Sequence, residues 1–173
     1  LFGIQQIIEG MLWLSFRFEA PSLNASATYA FSVFSHVVWP IFMPHAIGSL
    51  ETVAWRKKII SIFQIIGIAV GVYLLYFIVR FPVTYEVHEN IVYVSLHFYN
   101  IPVMLLYIAA TCASSFFSSH RIINLFGLLA LLLFVVAYWF YTVALLSVWC
   151  FFAAILSLII YLHFRFSNQN ETA

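Results

Sequence analysis

The chain contains no aspartate. All six of its acidic residues are glutamates, only 8% of the sequence is charged, and it has six glycines, five prolines and two cysteines in 173 residues. Each scarcity excludes something. Without Asp, a Ser-His-Asp triad would need Glu as a substitute, and no Gly-x-Ser-x-Gly elbow occurs. Ser35 and His36 are adjacent, which predicts that their side chains point in different directions. A formal net charge of +1 with no basic stripe gives no footing for nucleic acid. The two cysteines, Cys112 and Cys150, fall inside apolar runs and read as buried thiols with no disulfide or redox role.

Apolar surface is what the chain has in abundance. Hydrophobic residues make up 65% and aromatics 20%, with a mean hydropathy of +1.04. A membrane helix takes roughly 20 apolar residues. Candidate spans fall at about 1–16, 29–54, 59–79, 101–117, 122–143 and 145–162. They predict an all-α, polytopic transmembrane helical bundle, one integral membrane domain over 1–173 with short loops. The first run is short, starts without Met and lacks a basic leader, so a further helix before it is expected, making seven. Arg56, Lys57, Lys58, Arg121 and Arg165 collect on one side, against Arg17 and Arg80 on the other. By the positive-inside rule the C-terminus is cytoplasmic.

Between the runs, Ala20–Ala27 reads as a first outer loop carrying the glycosylation-type sequon Asn24-Ala25-Ser26. The stretch 82–99 alternates apolar and polar residues about Glu89-Asn90, which predicts a short β-hairpin. In the second span, Trp39-Pro40 and Pro44 predict a kink. Proline has no N–H, so in α register Pro40 frees the carbonyl of His36 and Pro44 that of Pro40. Such oxygens need a partner at membrane depth. Gly67 and Gly71 form a GxxxG pair for close helix packing, and Ser147, Cys150, Ala154, Ser157 and Tyr161 form a small-residue seam on the last span. Trp139 and Trp149 read as interface anchors.

The few polar residues within the runs carry the functional argument. On a helical wheel Phe2, Gln5, Gln6, Glu9 and Trp13 share one narrow arc, and His36, Pro40, Met43, Ile47 and Glu51 share another, with His45 opposite. Glu9 and His36 fall at similar depth, so a contact between them is expected, with Gln5 and Gln6 as orienting donors. Gln64 lies level with Glu51. An intramembrane carboxylate points to a functional site. Three uses fit: cation binding or proton relay by Glu9 and His36; a metal held by His36, His45 and Glu9, with His97 as a further ligand; or haem on His36. No spacing signature marks a cofactor, so none is evident, and metal and haem are minor readings. The bland alternative is a protonated Glu9 that only locks helix packing. On the outer loop Glu86, His88 and Glu89 read as solvated, with a surface metal site as the minor alternative.

The run Gln5-Gln6-Ile7-Ile8-Glu9-Gly10-Met11-Leu12-Trp13-Leu14, the Trp39-Pro40 region and the late Ser147–Ser157 segment resemble an uncharacterised family of small bacterial multi-pass membrane proteins. The resemblance covers most of the chain. It implies an inner-membrane protein with an additional N-terminal helix, and no activity. The intramembrane zinc hydrolases of the ceramidase and adiponectin-receptor type need an Asp and three His on set helices, a pattern absent here. The expectation is therefore a non-enzymatic membrane protein. It would bind a small ligand, cation or proton at Glu9, His36, Gln5, Gln6, Trp13 and Gln64, as a transporter or sensor. The rival reading is a non-catalytic subunit, self-associating or held by partner subunits in the bilayer, and an intramembrane metal-dependent enzyme comes third.

Overall fold

The computed structural model describes residues 1–81, 84–87, 91–94, 100–140 and 145–170. Its helices are α1 (Phe2–Arg17), α2 (Pro21–Val33), α3 (Trp39–Leu50), α4 (Ala54–Arg80), α5 (Ile101–Thr111), α6 (Arg121–Phe140) and α7 (Leu145–Asn170). A π turn over Phe34–Val38 joins α2 to α3, and a 3-10 turn over Ala113–Phe117 follows α5. Strands β1 (Thr84–Val87) and β2 (Ile91–Val94) pair antiparallel, with Val87 opposite Ile91. The Glu89-Asn90 turn expected between them lies outside the described residues. Among the described residues three helical stretches are long and apolar enough to cross a membrane: Pro21–Leu50, Ala54–Arg80 and Arg121–Phe140. Ile101–Phe117 and Ser147–Ile159 are shorter apolar helices.

The expected outer loop at Ala20–Ala27 is instead the start of α2. Pro21 sits in the first turn, where its missing N–H costs no bond. Asn24 is buried and donates to Ser15 Oγ at 2.9 Å, so the sequon points into the α1–α2 contact. The true connection is a tight Schellman turn. Glu19 N–H donates to Phe16 O at 3.3 Å and Ala20 N–H to Ser15 O at 2.9 Å. Glu19 takes φ 48 there, the left-handed position usually given to glycine. Glu19→Gly is expected to raise stability by about 1 kcal/mol, the strain a side chain meets in that region. Thermal melting in detergent checks this, with a rise of roughly 2–4 °C.

The proline kink takes the form of the π turn. A π turn pairs each carbonyl with the N–H five residues on. Pro40 therefore strips Ser35, not His36 alone, of its backbone donor. The Tyr107 hydroxyl of α5 donates to Ser35 O and satisfies it. Pro44 frees Pro40 O, and this oxygen packs on α4 at Gly67, where a Cβ would fall 1.8 Å from it. At Gly71 a Cβ would lie 2.9 Å from Ile41 Cδ1. The two glycines let α3 and α4 approach backbone to backbone.

The core gathers α3 to α7 around Trp39, Leu74, Tyr107, Phe126, Phe134 and Trp149. Trp149 is buried there, with its indole N–H on Ala130 O at 2.9 Å, and so is no interface anchor. Trp139 is 79% exposed. Cys112 and Cys150 are buried free thiols. Helix α1 lies to one side, packed on α2 and α7.

Candidate functional site

Glu9 faces the side of the bundle where α1 meets α7. It is buried, accepts from the Ser147 hydroxyl, and accepts from Gln6 Nε2 at 3.4 Å. These two residues, not His36, are its hydrogen-bond partners. Sequence reading placed Ser147 in a packing seam and missed its role, because a bond across 138 positions leaves no local pattern. Glu9, Gln6 and Ser147 line a lateral groove of about 350 Å3 with Gly10, Trp13 and Phe151. Trp13 is 45% exposed at its rim. Both Glu9 partners are donors, and a carboxylate has about four lone-pair sites. Acceptor capacity thus remains on the groove side.

Gln5 takes the other edge of the α1 stripe and points inward. Its Oε1 accepts from Trp39 Nε1, while Phe2 stacks on the same indole with centroids 3.8 Å apart. The Cys150 thiol lies beside Gln5. His36 sits in the π turn, fully inside. Its Nδ1 is 3.0 Å from Ser32 O and 2.8 Å from Ser35 Oγ. The adjacent Ser and His do meet, contrary to expectation, because the imidazole folds back over its own turn and passes the neighbouring hydroxyl. The interior cavity beside Trp39 and Tyr107 has about 30 Å3. That is room for a water at most, against ~300 Å3 or more for a ligand pocket. Ligand-sized space lies in the lateral grooves.

Gln64 does not join the Glu9 site. It donates to Ile41 O at 3.0 Å and lines a second groove with His45 on the α3–α4 side. The expected set therefore divides in three: Gln6, Glu9 and Trp13 together; Gln5 and His36 within the core; Gln64 and His45 apart. Among the described residues no group of three or more His, Cys, Asp or Glu side chains is placed to hold a metal. The expectations at His97, His88 and Glu89 lie outside the described residues, and so does the side chain of Glu86, whose backbone belongs to β1.

Glu51 is the polar residue whose role the sequence conceals. It follows α3 and its carboxylate gathers four donors. Oε1 accepts from Thr52 N–H at 3.1 Å, Val53 N–H at 2.9 Å and the Ser119 hydroxyl at 2.7 Å. Oε2 accepts from Ser119 N–H at 2.6 Å. Arg56 donates to Ser118 O at 2.9 Å in the same cluster, tying the α3–α4 loop to the segment before α6. The Val53 N–H first, with the Ser119 and Thr52 donors, outweighs desolvation and holds the carboxyl down to about 2. A carboxyl lowered on folding stabilises fully above its ordinary value of 4.5, and that contribution is lost as pH falls through about 2. Glu51→Gln is expected to cost about 1.5 kcal/mol at pH 7, the low end for hydrogen bonds to a charged group, because the donors on Thr52, Val53 and Ser119 belong to exposed residues. Melting curves of wild type and variant should stay apart from pH 7 down to about 4.5 and converge as the pH falls from there towards 2.

The features together define a helical protein with membrane-length apolar helices and a carboxylate buried at a lateral groove. The chain belongs to DUF6629, a family of unknown function whose family model matches residues 1–173. No curated protein and no solved structure matches it.

Proposed function

We propose that this is an integral membrane protein that binds a small cation, or a ligand presenting one, at Glu9. The helices form a membrane bundle, and the loops carrying Glu51 and Ser118–Ser119 lie on the cytoplasmic side with Arg56, Lys57, Lys58 and Arg121. Support for the bilayer setting comes from the apolar side chains left on the outside. Ile7, Ile65, Val79, Trp139 and Phe140 are each more than 60% exposed, which is far from the polar surface of a soluble monomer.

The observation that carries the binding role is the buried Glu9 carboxylate with Ser147 and Gln6 at a groove of about 350 Å3. A carboxylate is expensive inside a membrane. A pure packing contact would be served by an amide or hydroxyl, without the ionisable group and without open space next to it. Cations are drawn there by the free acceptor positions on Glu9, and the aromatic side chains of Trp13 and Phe151 line the same groove. A transporter would release the cation to one side, and a sensor would pass binding to the α1–α7 contact.

Proteoliposomes with an internal pH dye and imposed Na+ or K+ gradients test this. The expected result is a gradient-dependent pH or potential change in wild type that vanishes in Glu9→Gln at equal insertion. Wild-type vesicles as tight as empty ones would remove the transport form. Cation-induced shifts in the melting temperature then decide whether Glu9 binds without transport. No shift in wild type would leave Glu9 as a packing contact in a subunit of a larger assembly.

A further inference from the structure

The groove between α3 and α4 is built for a different ligand from the one at Glu9; it stands independently of the Glu9 site and rests on the bilayer setting proposed above. We propose that it binds the headgroup of an anionic phospholipid that carries free hydroxyls, of the glycerol or inositol type. The groove measures about 300 Å3 and is lined by His45, Ser49, Lys57, Ser61 and Gln64.

Its lining offers both acceptors and donors. Ser49 gives its proton to Ala46 O at 2.8 Å and Ser61 gives its proton to Lys57 O at 2.9 Å. Both hydroxyl oxygens are left as acceptors. Gln64 uses its amide N–H on Ile41 O at 3.0 Å, and its Oε1 is buried with no partner among the described residues. A buried acceptor left unmade is costly, so Gln64 Oε1 calls for a donor from the ligand. The ammonium of Lys57 and a ring N–H of His45 supply the opposite need, an acceptor with negative charge. Among the described residues no carboxylate lines the groove, and Glu51, at the end of α3, is engaged by its own four donors. The Lys57 charge is therefore open to an external anion.

A phosphodiester with hydroxyls meets both needs at once. Its phosphate faces Lys57 and His45, and its hydroxyls donate to Gln64, Ser49 and Ser61. A phosphatidic acid or free phosphate brings the charge without the polyol donors. A choline or ethanolamine headgroup brings a cation towards Lys57. Location selects a lipid over a soluble polyol phosphate. The groove is lined by residues near the adjoining ends of two membrane-length helical stretches, and its Lys57 is flanked in sequence by Arg56 and Lys58. Basic pockets between helices at this level are where headgroups are held.

The test is native mass spectrometry and thermal melting of the full chain in mild detergent. The additives are phosphatidylglycerol, phosphatidic acid, phosphatidylcholine and soluble glycerol 3-phosphate. Phosphatidylglycerol is expected to bind and stabilise most, phosphatidic acid less, and the other two not at all. Lys57→Gln should weaken phosphatidylglycerol binding roughly fivefold, the effect of about one basic residue at an anionic surface. Gln64→Met should erase the preference for phosphatidylglycerol over phosphatidic acid while leaving the Lys57-dependent part. If Gln64→Met fails to fold, Ser49→Ala combined with Ser61→Ala carries the same expectation. Equal binding of both anionic lipids by wild type would overturn the hydroxyl recognition. Binding indifferent to Lys57→Gln, or matched by glycerol 3-phosphate, would overturn the lipid site itself.

Discussion

Glu9→Gln is expected to lower cation affinity roughly 30-fold or more while leaving the protein folded, the scale set by about 2 kcal/mol or more for losing one partner of a desolvated charge contact. The amide is nearly isosteric and its oxygen can still accept from Ser147, so α1 stays docked on α7. What disappears is the negative charge at the groove. Ser147→Ala separates the two roles further. It removes one donor to the carboxylate and leaves the charge, so it should alter affinity by only a fewfold while loosening the α1–α7 contact. A cation-dependent melting shift measured on all three proteins is the readout. Comparable melting shifts in wild type and Glu9→Gln would reduce Glu9 to a packing residue.

Gly67→Ala should be the most damaging single methyl in the protein. The added Cβ would meet Pro40 O at 1.8 Å. That obstacle is backbone, held by Pro44 one turn on and by the π turn behind it, so it has nowhere to move. Overpacking commonly costs about 1–3 kcal/mol and occasionally more; a loss of ~3 kcal/mol or more is expected here. For a chain of this size that lowers the melting temperature by roughly 6–12 °C. Gly127→Ala is a useful comparison: its Cβ would meet the Ser115 hydroxyl, which can rotate away, but also Ser115 Cβ at 2.7 Å and Cys112 O at 3.0 Å, so the cost should be smaller than at Gly67 without vanishing. Gly10→Ala meets nothing within 4 Å and should be neutral or mildly stabilising, as helix propensity alone would have it. Detergent melting of the three variants checks the order.

The long apolar runs were legible because hydropathy acts locally, and α4 and α6 fall close to where the runs put them. The Gly67 and Gly71 pair was legible for the same reason, with the added fact that only small residues permit close helix approach. Ala20–Ala27 was misread because Pro, Ser and Asn mark both turns and helix starts; which one holds depends on Ser15 being there to take the Asn24 amide. Glu9 stood out as a carboxylate in an apolar run, but its partner did not. Ser147 is one of many serines, and nothing in the chain states that the first helix packs against the last. The same holds for Glu51, whose donors on Ser119 lie 68 positions away. The His36 expectation failed for a finer reason. Proline in α register strips the carbonyl four residues back, whereas the helix answered Pro40 with an extra residue per turn.

That extra residue sets the phase of the second span. Up to Ser35 the buried positions run Asn24, Thr28, Phe31 and Ser35, and beyond it they run Pro40, Pro44 and Ile47. An uninterrupted α-helix would have carried the first series on to positions near 39, 42 and 46, and Phe42 is exposed. The π turn advances the stripe by one residue, about 100° of rotation. The α2 half can then face α1 while the α3 half faces α4 and α5. Removing one residue from 34–38 would restore a straight α-helix and leave one half or the other turned away from its neighbours. The segment works as a clocking joint between two rigid rods.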